Sequence, residues 1–286
     1  MTLYTLTKPK DLQSPVLIAA LDGWIDAGSA ATTAAEQLAE GGEVVVTFDP
    51  DALFDYRSRR PTLEIVDGRP AKLTWPELTI RRSRPGDRDV LILTGAEPDD
   101  RWQQLAAEMV ELTKQLEVSQ LISLGAIPAA VPHTRTVPIL GTESQPGLLR
   151  ADVRAGPSGI LRVPAAAISV IDYEISRSGV PSVGYFAQIP HYVSGPYPAA
   201  AVELLRAVAR HLDVSVSADA LAREAKVMIK RLDAATAADE TTQTYVTRLE
   251  SMVDEARLPS GEDLISDIEK FLRERGQDLG RGGRPN

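Results

Sequence analysis

The chain has 286 residues, of which 43% are hydrophobic, 25% charged and 5% aromatic. That balance belongs to a folded protein of one large domain, or one domain with a small accessory unit, whose core rests on Ala, Leu, Val and Ile. A net charge of −9 and the complete absence of cysteine argue against a nucleic-acid partner and exclude disulfides, thiolate catalysis and cysteine-held metals.

The first residues, up to Pro15, show neither a long apolar segment nor a small-residue cleavage site, so no secretory signal is expected. No stretch approaches the ~20 apolar residues that cross a bilayer. The expectation is a soluble cytoplasmic protein without a membrane partner.

Val16–Leu21 is short and continuously apolar, the pattern of a strand covered on both faces. A helix follows from Gly28 to Glu40, ended by Gly41-Gly42. Glu43–Phe48 completes a βαβ unit, which predicts a mainly parallel sheet. Thr62–Trp75 predicts a hairpin turning at Asp67-Gly68, and Glu77–Ser83 alternates as an exposed strand. Asp89–Thr94 is a second buried strand. Trp102, Leu105, Met109, Leu112 and Leu116 then trace one apolar helix face, with Asp99 or Asp100 expected to cap its start.

Leu121–Leu124 is another core strand. Thr134–Leu140 reads as a strand at an edge or a bend, because Pro138 lacks a ladder donor. A helix over Pro164–Ser178, a core strand over Val183–Ile189 and a helix over Tyr197–His211 complete the alternation. From Ser217 strand signals stop. Two amphipathic helices, marked by Leu221, Ala225, Met228 and Leu232 and by Tyr245, Leu249, Met252 and Ala256, predict an antiparallel pair joined near Ala237–Glu240. A third helix is predicted from Ser260, carrying Leu264, Ile265, Ile268, Phe271 and Leu272. The organisation expected is an α/β core over 1–214, a helical hairpin or bundle over 215–275, and a disordered tail over 276–286.

Most of the chemistry lies in the polar loops that end four of these strands. In an open parallel sheet the strand C-termini line one edge, where ligands bind. The first loop holds Asp22, Trp24 and Asp26. The two carboxylates suit a cation, and the helix start suits an anion. Equally, Asp26 or Ser29 caps the helix, Asp22 shapes the turn, and Trp24 is a cleft wall or core. The second loop holds Glu97, Asp99 and Asp100, available for general acid–base work or for capping.

The third loop holds His133, Thr134 and Arg135, and His191 with Tyr192 follows the last core strand. Histidine moves protons near neutral pH, and arginine clamps carboxylate or phosphate. The same residues serve loop-to-loop ties with Asp22 or Glu97. Arg57, Arg59 and Arg60 can reach over the cleft or into a neighbouring subunit. No HExxH, HxH, G-x-S-x-G or G-x-x-x-x-G-K-[ST] pattern occurs, so no metal, cofactor or serine nucleophile is predicted.

Three segments carry a resemblance: LDGWIDAGSAATTAAEQL, GAIPAAVPHTRTV and SGVPSVGYFAQIPHYVSGPYPAAAVELL. Together they resemble the proteasome-assembly-chaperone-2-like family over roughly residues 14–257. DYRSRRP, AEPDDRW and PHTR look like its actinobacterial branch. The resemblance implies a three-layer core similar to purine nucleoside phosphorylases and related hydrolases, with a C-terminal helical appendage. It implies a homo-oligomer, with a trimer among the forms expected, and a protein partner, proteasome-related or other. The function expected is a non-enzymatic interaction or assembly factor. The alternative is a small-molecule-binding protein or a hydrolase- or phosphorylase-like enzyme using the loop-lined cleft.

Overall fold

The computed structural model describes residues 2–7, 9–156 and 159–257. In chain order the elements are β1 (Tyr4–Leu6), β2 (Val16–Asp22), a 3-10 turn (Ala27–Ser29), α1 (Ala30–Ala39), β3 (Glu43–Phe48) and α2 (Pro50–Leu53). The hairpin β4 (Thr62–Val66) and β5 (Arg69–Thr74) follows, then β6 (Leu78–Ser83), β7 (Val90–Ala96), α3 (Trp102–Gln115) and β8 (Gln120–Ala129). The remainder is β9 (Ile139–Glu143), β10 (Arg154–Ala155), α4 (Ala167–Arg177), β11 (Ser182–Pro190), α5 (Pro198–Leu212), α6 (Asp219–Ala237) and α7 (Glu240–Arg257).

The fold is the expected three-layer α/β arrangement. Its sheet runs β1-β3-β6-β7-β2-β8-β11-β9-β10, and β4 and β5 form a separate two-stranded ribbon. The four central strands, β7, β2, β8 and β11, are parallel. Successive side chains of a strand face opposite sides, so β2 serves two cores. Val16, Ile18 and Ala20 pack under α1 and α5, while Leu17, Ala19 and Leu21 pack under α3 and α4. Alanines at 30, 31, 34 and 35 are all buried and let α1 lie close to the strands.

Several local expectations are corrected. β2 and β3 do not pair, because β7 and β6 lie between them. β6 is no exposed strand: bonded to β3 and β7 on its two sides, it buries Leu78, Thr79 and Ile80. It tolerates charge because Arg82 Nη2 sits 2.7 Å from the buried carboxylate of Asp89. The strand expected from Thr134 begins at Ile139, leaving 134–138 as loop, and it is not at the edge, because β11 and the two-residue β10 flank it. Neither Asp99 nor Asp100 caps α3, which opens from Arg101 in left-handed backbone (φ 59°) with no side-chain cap.

The first compact unit runs from Met1 to Ala234, and a second begins at Ala235. Most of α6 belongs to the first: Leu221 is buried in the α1/α5 core, with Ala222, Met228 and Leu232 packed against it. In α7, Val246 and Leu249 are buried. The predicted third helix and the tail lie outside the described residues. Among those residues no helix is long and apolar enough to cross a membrane.

Candidate functional site

The parallel register brings the ends of β2, β7, β8 and β11 to one side of the sheet, and with them all four loops. Their described contacts fall into two groups.

The first group joins the ends of β2 and β7. Glu97 donates its backbone N–H to Asp22 O at 3.0 Å. Its Oε2 accepts the Trp24 N–H at 2.9 Å, and its Oε1 accepts the Ala167 N–H at the start of α4 at 2.7 Å. One carboxylate thus ties the β2 loop to a helix N-terminus, where backbone donors lack partners of their own. The fit is close: a Cβ on Gly23 would stand 2.1 Å from Glu97 Oε2. Asp22 is exposed, and Arg59 Nη1 lies 3.3 Å from its Oδ2. Arg57 pairs with Asp55 at 3.2 Å, while Arg60 is exposed. Asp99 accepts the Asp55 N–H at 3.0 Å, pinning the loop that leads to the hairpin. Trp24 stands 69% exposed, neither core nor enclosed wall.

Asp26 is buried and faces its own helix. Its Oδ1 accepts the N–H groups of Ala31 and Thr32, and the Thr32 hydroxyl donates to Oδ2. Burial pushes its carboxyl above the ordinary aspartate range, against the opposing pull of those bonds. The capping role anticipated for this residue is therefore met at the first turn of α1, from a position four residues ahead of the helix. The turn itself needs Gly28 and Ser29 at positive φ (63° and 48°).

The second group joins the loop after β8 to the end of β11. His133 is 1% exposed. Tyr192 Oη accepts the His133 backbone N–H at 2.8 Å and lies 2.7 Å from its Nδ1. Nε2 lies 3.3 Å from Asp233 Oδ1 of α6, outside hydrogen-bond geometry, and this buried nitrogen has no hydrogen-bond partner among the described residues. His191 is exposed, with Nδ1 3.1 Å from Ala129 O. Arg135 is half-buried, its Nη1 3.5 Å from Thr134 Oγ1.

His133 and Arg135 also line an open cleft of about 310 Å³ between α5 and α6, where Arg206, Lys226 and Glu203 add charge over a floor of Val137, Val202 and Ile229. A sequence profile of the PAC2 family matches residues 20–236. The chain belongs to the PAC2 family.

Solved structures agree. This PAC2 protein is similar to a protein of unknown function from Corynebacterium glutamicum, at 30% identity and a TM-score of 0.82, over 88% of this chain and 97% of that one. A Mycobacterium tuberculosis protein of unknown function is 32% identical, with a TM-score of 0.81, over 88% and 91% of the two chains. A second M. tuberculosis structure, described as a proteasome-assembly chaperone homologue, is 34% identical with a TM-score of 0.74, over 81% and 99%. A search of curated proteins returns no match.

Two polar features of this PAC2 protein escaped the sequence. Asp233 lies on a helix assigned to the appendage, so nothing linked it to His133. Asp172 of α4 accepts the Ser123 hydroxyl at 2.8 Å and also bonds the Ser182 hydroxyl. Burial raises its carboxyl above the usual range. The signal was present: Asp172 lies four residues after Ile168 and three before Ile175, inside an apolar stripe where a carboxylate needs partners. Asp172 borders a second open cleft of about 310 Å³, lined by Ser123, Ser169, Ser182 and Phe186, with Ile25 of the loop after β2 also on its wall. Among the described residues no cluster of three or more His, Asp or Glu side chains could hold a metal ion.

Proposed function

We propose that this PAC2 protein is a non-enzymatic interaction or assembly factor, acting in the cytoplasm as a homo-oligomer on a protein partner. The observation that carries the reading is the β4–β5 ribbon, where every residue from Thr62 to Trp75 is exposed. Leu63, Ile65, Val66, Leu73 and Trp75 are 46–62% exposed. A concentrated apolar surface of this kind marks a protein-interaction site. The rim acids fit the same reading, since Glu97 and Asp26 hold backbone N–H groups instead of facing a reacting centre. The proteasome-assembly chaperone homologue among the similar structures makes proteasome subunits the first partners to test.

The test is affinity capture with the full-length chain from the cytosol of its own cell. Proteasome subunits or another stoichiometric protein are the expected companions. Recovery of the bait alone overturns the reading.

One observation favours a second reading, a small-anion binder. Arg135, Arg206 and Lys226 outnumber Glu203 around the His133 cleft. Inorganic phosphate would then raise the melting temperature in a dose-dependent way, and the shift would vanish in Lys226→Glu.

A further inference from the structure

We propose that the cleft beside Asp172 binds a small hydroxylated primary amine, an amino alcohol or amino sugar, whose ammonium group pairs with the Asp172 carboxylate. The site goes beyond the interaction reading and does not depend on it.

The cleft is built into the sheet. β8 and β11 bury Ile122, Leu124, Val183 and Tyr185 on one face, in the core under α1 and α5. Their opposite face carries Ser123 and Gly125 of β8 and Ser182, Gly184 and Phe186 of β11. Thr142 of β9 is level with Gly184. Neither glycine takes positive φ, so both serve for space and not for backbone conformation. A Cβ on Gly125 would stand 2.6 Å from the Phe186 ring, and a Cβ on Gly184 would stand 2.7 Å from it. The ring therefore lies across both glycines, an apolar floor with hydroxyls around it. The opening of about 310 Å³ is at the small end of ligand pockets, ~300–1,000 Å³.

Charge selects the ligand. Asp172 and Glu143 line the cleft, and among the described residues no Lys, Arg or His does. Glu143 Oε2 accepts the Leu148 and Leu149 N–H groups, each at 2.8 Å. Asp172 accepts the Ser123 hydroxyl at 2.8 Å and bonds the Ser182 hydroxyl, with no cation of the chain beside it among the described residues. A carboxylate withdrawn from water without a counter-charge is costly. An incoming ammonium removes that cost, whereas a phosphate or carboxylate adds to it.

The hydroxyls set the rest of the ligand. Ser144 Oγ accepts the Ser182 N–H at 3.0 Å, and Ser169 Oγ accepts the Ala166 N–H at 3.3 Å. Each keeps its own O–H to donate. Ligand oxygens beside the ammonium would receive them.

Isothermal titration of the full chain tests the site with matched pairs: ethanolamine against ethylene glycol, serinol against glycerol, and glucosamine against glucose. At least one amine should bind with a dissociation constant below about 1 mM. Its partner, with hydroxyl in place of ammonium, should bind at least about tenfold more weakly. Asp172→Asn, which keeps the side chain's size without its charge, should weaken amine binding at least about tenfold. Ser176 also lines the cleft, one turn after Asp172 on α4. Ser176→Lys has the i, i+4 spacing at which a lysine reaches a carboxylate. It should abolish amine binding by supplying an ammonium from the chain itself, and it decides the matter if Asp172→Asn does not fold. Failure of all three amines to bind at about 10 mM, equal binding of an amine and its hydroxyl partner, or amine binding unchanged in either variant overturns the proposal.

Discussion

Glu97 and Ala167 are 70 residues apart in sequence, yet the Glu97 carboxylate accepts the Ala167 N–H at 2.7 Å. With its other oxygen on the Trp24 N–H, this side chain fastens the loop after β2 to the first turn of α4. Glu97→Ala should cost about 2 kcal/mol in urea unfolding, and Glu97→Gln about half as much, since the amide keeps one acceptor. Equal stability of all three proteins would show that the loop does not depend on the carboxylate.

Asp89 is 2% exposed and sits between Arg82, at 2.7 Å, and Arg84, at 3.2 Å. Burial disfavours its charge, but the Gln13 N–H and the two guanidinium groups outweigh that and hold its pKa below the ordinary value. A carboxyl depressed in the folded state stabilises above its unfolded pKa. That contribution is lost as pH falls from about 4 through the folded value. Asp89→Ala should destabilise by about 3–5 kcal/mol at neutral pH, because the largely buried Arg82 loses its partner. The mutant's stability should also vary less between pH 5 and pH 3, as denaturant midpoints would report.

His211 lies 2.6 Å from Tyr185 Oη through Nδ1 and 3.1 Å from Gln120 Oε1 through Nε2. Burial, with Arg150 and Arg88 nearby, depresses its pKa. The unfolded chain therefore takes a proton first. Stability is full above about pH 6.5 and falls as pH drops through the folded value. His211→Phe should remove this dependence, leaving a smaller difference in midpoint between pH 7.5 and pH 5.5 than in the wild type.

Asp26 has the opposite sign. Its raised pKa means that burial penalises the charged form. The penalty is absent below about pH 3.8 and complete once pH exceeds the folded value. Asp26→Asn keeps an acceptor for the Ala31 N–H without the buried charge, and should stay within about 1 kcal/mol of wild type at pH 7. Asp26→Ala, which leaves the first turn of α1 without its acceptor, should lose about 1–2 kcal/mol.

Much of the fold was legible in local pattern. The continuous apolar run at Val16–Leu21 meant a strand buried on two faces, and β2 indeed feeds both cores. The Asp67-Gly68 dipeptide located the hairpin turn, and the 3–4 spacing from Trp102 located α3. These features are set by residues a few positions apart, so the amino-acid order alone determines them. Which strands become neighbours is set by long-range burial. β6 looked peripheral because Arg81 and Arg82 follow its apolar residues, and only the Asp89 carboxylate, just ahead of the adjacent strand, explains how Arg82 is held inside the sheet.

The same division holds for the loops. Their residue types, and their arrival at strand ends, followed from the sequence. What each side chain does followed from partners far along the chain: Ala167 for Glu97, Tyr192 and Asp233 for His133, Ser123 for Asp172. A carboxylate or imidazole can hold a backbone, an ion or a substrate with the same atoms. Spacing along the chain does not distinguish these uses, because the donor that decides between them is brought near only by tertiary packing.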